Sequence, residues 1–134
     1  MIIPDDILNF TFKDVYHGLA ECNGILYLNE NGIVIEYFVK DSIVGFIKSE
    51  VKKIYLEYTD IVTATLKKSF FSKKLLIKIK SLHKIHSIPF ASENNELVFS
   101  LKNNKDVILT AETISSFINY KISENKLYNV ENNF

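Results

Sequence analysis

Short runs of alternating apolar residues fill most of this chain, and a single helical stripe follows them. Within residues 53–58, Ile54, Leu56 and Tyr58 share one face. Within 74–80, Leu75, Ile77 and Ile79 oppose Leu76, Lys78 and Lys80. Within 96–102, Leu97, Phe99 and Leu101 point one way. Side chains alternate across a strand, so each run offers one face to a core. The period then changes. Val107, Ala111, Ile114, Ile118 and Ile122 recur at spacings of four, three, four and four, which is one helical stripe. Strands closed by one helix predict a mostly β fold, a small barrel or sandwich with the helix packed on one end.

The remaining segments fit that order. Asn29-Glu30-Asn31-Gly32 separates apolar runs at 17–28 and 33–39. Asn-Gly there is a hairpin signal, because both residues tolerate positive φ. In 61–67, Val62, Ala64 and Leu66 are expected to oppose Ile61, Thr63 and Thr65. Shorter runs at 43–48 and 84–88 read as strands, the second stopped by Pro89, which cannot donate to a ladder. Asn103 or Asn104 is the expected helix cap, with Asp106 and Glu112 near the positive end of the dipole. Residues 1–16 form an N-terminal extension in which Ile7, Phe10 and Phe12 suit either a short helix or an added strand. From Asn125 the chain is polar and rich in Asn, so 125–134 reads as a disordered tail after a single domain at 1–124.

Composition narrows the class. With 134 residues and 47% apolar side chains, the chain can bury a real core. No apolar run approaches the length of a membrane-spanning helix. Residues 1–16 carry Asp5, Asp6 and Asp14 and no basic leader, so they do not resemble a signal peptide. Cys22 is the only cysteine, which rules out an internal disulfide. The expected location is cytoplasmic. All sixteen basic residues are Lys. The missing Arg removes the usual bidentate partner of phosphate, although Lys, Asn and Ile are all plentiful, as coding bias would make them. Net charge is zero, but residues 61–92 hold seven Lys and no acid, whereas 1–60 hold five Lys against ten acids. Such a basic block marks either a binding surface or a solvated pair of strands.

The order of these segments resembles a bacterial pleckstrin-homology-like (PH-like) domain. The resemblance runs through Lys40-Asp41-Ser42-Ile43-Val44-Gly45-Phe46-Ile47-Lys48-Ser49, Val51-Lys52-Lys53-Ile54 and Tyr58-Thr59-Asp60-Ile61. It continues through Leu75-Leu76-Ile77-Lys78-Ile79, Ile88-Pro89, Leu97-Val98-Phe99-Ser100-Leu101 and the helix, spanning about residues 17–122. It implies a partly open antiparallel β-barrel capped by a C-terminal α-helix, and a role in binding lipids, peptides or proteins. Phosphoinositide-binding members carry Lys and Arg along their first hairpin. The turn read as that hairpin here, Leu28-Asn29-Glu30-Asn31-Gly32, is acidic.

One segment stands out as a contact. Lys67-Lys68-Ser69-Phe70-Phe71-Ser72-Lys73-Lys74 is expected to join two antiparallel strands, with two Phe at the turn and a Lys pair on either side. Three roles are open to it. One Phe closes the barrel end while the Lys are solvated, the tip dips into an anionic membrane, or it meets a protein. His83 and His86 fall on opposite faces of a strand and lack further ligands, so no metal site is expected. Cys22 has only His17 near it in sequence and reads as a structural thiol; Asp60 reads as a turn residue. The four Gly match no phosphate-binding loop. A near-neutral pI of 6.8 argues against a nucleic-acid binder. The expectation is a non-enzymatic module with no cofactor and no small-molecule substrate. It binds a protein partner or a second copy of itself through a sheet edge or the groove beside the helix, with peripheral binding to anionic lipid through 67–74 as the alternative.

Overall fold

The structure is a computed structural model that describes residues 2–15, 18–41, 49–81, 88–92 and 94–132. Among these residues eight strands precede one helix: β1 (Ile7–Val15), β2 (Ala20–Leu28), β3 (Gly32–Asp41), β4 (Lys52–Glu57), a 3-10 turn (Tyr58–Asp60), β5 (Ile61–Lys68), β6 (Lys73–Ile79), β7 (Ala91–Ser92), β8 (Glu96–Leu101) and α1 (Lys105–Asn132). All pairings are antiparallel, in the order β4-β3-β2-β1-β8-β6-β5, with the two-residue β7 also paired to β8. The path does not close on itself. The result is a partly open antiparallel barrel capped by the C-terminal helix.

The N-terminal segment is a strand. Leu8 and Phe10 point into the core and Ile7 points out, so Phe10 is buried as a strand residue and not on a helix face. Because β1 precedes β2, the first hairpin of the sheet is β1–β2, and the Asn29–Gly32 turn is the second. The acidic turn compared above with a first hairpin therefore occupies a different position. The turn forms, with Asn29 N–H donating to the Gly32 carbonyl at 2.8 Å, but neither Asn31 nor Gly32 takes the positive φ expected of Asn-Gly. A Cβ on Gly32 would lie 2.1 Å from the Leu56 carbonyl oxygen, so the approach of β4 excludes any larger residue. The expected strand at 43–48 lies outside the described residues, and of 84–88 only Ile88, which is buried, lies within them.

An aromatic cluster fills the barrel. Phe10 stands edge-on to Phe90 and Phe99, with centroids 5.2 and 4.8 Å away, and Tyr37 is edge-on to Phe90 at 5.2 Å. Gly24, paired across the strands with Phe10, makes room for that ring. Leu75, Ile77, Ile79, Leu97 and Phe99 complete the inner faces of β6 and β8, as the alternation predicts. In β5 the alternation fails. Ile61 and Ala64 are both buried, because the register slips between Ile61 and Thr63. The extra residue turns Val62 outward, the signature of a β-bulge.

The helix begins where the sequence places it. Asn104 Oδ1 accepts from the N–H groups of Asp106 at 2.9 Å and Val107 at 3.3 Å, two donors otherwise left unpaired at a helix start. Ala111, Ile114, Ile118 and Ile122 are buried and Val107 packs beside them. Asn119 reaches from α1 to β5: its Nδ2 donates to the Ala64 carbonyl at 2.7 Å and its Oδ1 accepts from Ala64 N–H at 3.0 Å. The helix runs on to Asn132, through the stretch expected to be a disordered tail. Its continuation without burial follows from ordinary helix formers such as Lys126 and Leu127 and the absence of Gly or Pro after Ile122.

Candidate functional site

The hairpin at 67–74 forms and is solvent-facing throughout its turn. Ser69 N–H donates to the Ser72 carbonyl at 2.9 Å, and Ser72 N–H donates to the Ser69 hydroxyl at 3.1 Å, so the turn is tied by its own serines. Between them Phe70 is 86% exposed and Phe71 93%. Their rings meet edge to face with centroids 4.8 Å apart. Neither Phe closes the barrel end. Two adjacent aromatic side chains held in water are the kind of apolar exposure that marks a contact surface.

The four lysines of the hairpin do not act as one patch. Strand alternation and the pairs Lys67↔Lys74 and Lys68↔Lys73 split them between faces. Lys68 lies on the inner face at the barrel rim, where its Nζ is 2.7 Å from Glu112 Oε1 on α1. Lys73 shares that face, and its ammonium donates to the Ser69 carbonyl. Lys67 and Lys74 point outward, and neither meets a carboxylate among the described residues. Of the two Lys pairs that bracket the turn, Lys68 and Lys73 thus meet partners within the fold, while Lys67 and Lys74 face outward.

The outward pair continues across the sheet. Lys67 pairs with Lys74, Lys74 with Ser100 of β8, Ser100 with Thr11 of β1, Thr11 with Asn23 of β2, and Asn23 with Phe38 of β3. These six residues form one cross-strand row on the outer face. Two open grooves flank it. One, of about 290 Å³, runs from Phe71 and Ser72 past Lys73 and Lys74 to Thr11, Ser100, Leu101 and Lys102. The other, of about 530 Å³, shares Thr11, Ser100 and Lys102 with the first. It continues over Asn9, Asn23, Gly24, Ile25 and Phe38 to Asn104 and Val107 at the helix start. Among the described residues no carboxylate lines either groove.

Thr11, Ser100 and Lys102 were not singled out from the sequence. Thr11 lies in the segment that read as either helix or strand, and the other two acquire their place only from the β6–β8–β1 register.

The remaining candidates are accounted for. Cys22 is fully buried, and burial pushes its thiol up from 9.0 to about 12, which makes it a poor nucleophile. Asp60 ends the 3-10 turn, and its carbonyl accepts from Lys80 N–H at 2.9 Å, which is a turn role. Tyr58 is buried beside it; its hydroxyl donates to the Asn29 carbonyl at 2.8 Å and is pushed up to about 12, mainly by burial and then by Tyr55. His17, His83 and His86 lie outside the described residues. Among the described residues no three His, Cys, Asp or Glu side chains cluster as metal ligands would. No helix of the described residues is long and apolar enough to cross a membrane.

No family model, curated protein or solved structure matches the chain.

Proposed function

We propose that the chain is a non-enzymatic interaction module with a PH-like barrel, and that it docks peripherally on an anionic lipid surface through the hairpin tip at Phe70 and Phe71. The exposure of both rings carries this reading. It leaves no barrel-sealing role for either ring, and it supports a contact made by the tip. The PH-like part rests on the strand order β4-β3-β2-β1-β8-β6-β5 followed by one helix.

The energetics suit reversible contact. Each Phe transferred to an apolar phase contributes roughly 1.5–3 kcal/mol, and each Lys near an anionic leaflet about 1 kcal/mol. Two Phe with the outward Lys67 and Lys74 sum to roughly 5–8 kcal/mol, which is micromolar to sub-millimolar binding. Co-sedimentation with anionic and neutral vesicles at low and physiological salt tests the reading. The expected result is binding to anionic vesicles only, weakened by salt and lost in Phe70→Ser/Phe71→Ser. Retention of binding in that double variant sinks it.

A second reading is favoured by a separate observation. β4 and β5 end the strand order, so each has an edge with no strand beside it among the described residues. Unpaired edges are templates for an added strand from a partner or a second copy. That contact would be indifferent to lipid and to Phe70 and Phe71.

A further inference from the structure

We propose that Asn31 is a site of spontaneous covalent modification, where the side chain closes on the Gly32 nitrogen and hydrolysis leaves isoaspartate, while Asn23, in the same tripeptide, is protected by the sheet. Asn-Gly-Ile occurs twice in the chain, at 23–25 and at 31–33. Glycine has no Cβ to keep the preceding side chain off its nitrogen, so as bare sequence the two copies are equally prone to react. The fold separates them. It also requires glycine at 32, because the Leu56 carbonyl of β4 lies where a Cβ would stand.

The only co-reactant is water. The Gly32 N–H gives its proton to hydroxide, and the nitrogen attacks Asn31 Cγ. The new C–N bond closes a five-membered imide. The Cγ–Nδ2 bond breaks, and the side-chain nitrogen leaves as ammonia after taking a proton from water. Water then opens the imide at one of its two carbonyls. Opening at Cγ leaves aspartate. Opening at the backbone carbonyl leaves isoaspartate, with the main chain running through Cβ and the former backbone carbonyl set aside as a carboxylate.

At 31–32 little holds the reacting groups. Asn31 is exposed at the end of the turn, and its side-chain amide has no hydrogen-bond partner among the described residues. The Asn31 carbonyl accepts from Tyr58 N–H, on the β4 side, at 3.0 Å. The trans peptide therefore directs the Gly32 N–H the other way, toward Asn29. There the Tyr58 hydroxyl donates to the Asn29 carbonyl at 2.8 Å, and the hairpin bond runs from Asn29 N–H to the Gly32 carbonyl. Among the described residues no turn bond is donated by Gly32 N–H. Gly32 is covered by β4, which ends the strand order, so baring its nitrogen asks only for the turn and one strand end to open.

At 23–24 the same groups are locked. Asn23 and Gly24 lie within β2, paired with Thr11 and Phe10 of β1 on one side and with Phe38 and Tyr37 of β3 on the other. Asn23 Nδ2 donates to Glu21 Oε1 at 3.1 Å. The Glu36 carbonyl and the Phe10 ring crowd Gly24, at 2.5 and 2.6 Å from where its Cβ would stand. Closing an imide there requires both ladders to part.

The product changes one edge of the sheet. Isoaspartate at 31 takes the acceptor of Tyr58 N–H off the main chain and lengthens the turn by one atom. It also adds a carboxylate beside Glu30 and Glu57, which border an open cavity of about 370 Å³ together with Asn31 and Tyr58. The modification is thus a slow, irreversible release of the end of β4.

Ageing the full chain at pH 8, folded and in urea, with peptide mapping and enzymatic methylation of isoaspartate, tests the site. In the folded protein Asn31 should convert more than about tenfold faster than Asn23, which reacts only when β2 opens, and in urea the two rates should converge. Asn31→Gln, whose longer side chain closes a ring far more slowly, should abolish the product of the folded protein and leave the urea reaction at Asn23. Converted protein, separated by its added charge, should exchange the Tyr58 amide faster while amides of β2 keep their protection. Equal rates at Asn31 and Asn23 in the folded protein overturn the proposal. So does a folded chain in which Asn31 stays intact while the unfolded chain reacts. Unchanged exchange at Tyr58 in converted protein overturns the release of β4.

Discussion

Cys22 illustrates how one residue's environment decides its chemistry. It sits on the inner face of β2, fully buried. Desolvation disfavours the charged form, so the thiol rises to about 12. Tyr58 rises to about 12 for the same first reason. Both are acids whose neutral form is favoured in the folded state. Between their ordinary values of 9.0 and 10.0 and about 12, the unfolded chain therefore holds fewer protons than the native one. Stability is then full below pH 9 and falls as pH rises toward 12. The urea midpoint should be flat from neutral pH to about 9 and decline above it, the onset set by the thiol. A thiol-specific disulfide reagent at pH 8 should label the native protein far more slowly than the urea-unfolded one. Equal labelling rates would place Cys22 at an accessible position and contradict its burial. This much was legible in the sequence, where a lone Cys in an apolar run read as structural.

At the scale of elements, the edge of β5 shows what the sequence hid. The helix stripe was readable from its spacing, and the Asn104 cap from the short polar residues before it. Asn119 was not, because a polar residue on a helix says nothing about which strand it faces. In the fold its amide pairs with both backbone groups of Ala64, taking the place of a neighbouring strand. The bulge at Val62 escaped for a related reason: local alternation cannot report a register slip that the partner strand imposes. Asn119→Ala removes both bonds and leaves a half-buried N–H and C=O without partners. It should lower stability by about 1–3 kcal/mol, read as a shift of the urea midpoint with unchanged slope. Hydrogen exchange gives the specific signature, with faster exchange at Ala64 while amides of β2 keep their protection. Uniform loss of protection would show a global packing defect in place of a clipped edge. The bonds also bear on self-association, since freeing this edge should make the variant more prone to pair with a second copy.

The whole molecule divides into a sheet that carries the surface chemistry and a helix that secures it. The basic block at 61–92 read as one charged stretch, yet the barrel assigns half of the hairpin lysines to the helix side and half to the outer row. Strand pairing also brings Thr11, from the opposite end of the chain, beside Ser100, a juxtaposition that no local pattern encodes. The helix shows the complementary limit. Its 28 residues span about 42 Å, but the buried stripe ends at Ile122. From Lys126 to Val130 every side chain is exposed, including Leu127 at 64%, Tyr128 at 65% and Val130 at 55%. Helical geometry therefore extends past the part of α1 that holds the fold. A chain ending at Asn125 should melt within about 2 °C of the full chain, because removing exposed residues changes stability by under about 0.5 kcal/mol. A chain ending at Lys121 loses the buried Ile122 as well, and its melting temperature should fall by roughly 5–10 °C, the equivalent of a deleted core side chain. A chain ending at Asn125 that melts well below the full chain would show that the overhang stabilises the barrel after all, and equal melting of the two truncations would show that Ile122 contributes little. If they separate as expected, the exposed end of α1 is free to change without disturbing the sheet, and vesicle binding by the chain ending at Asn125 should match that of the full chain, since the hairpin and the outer row lie on elements the truncation does not touch.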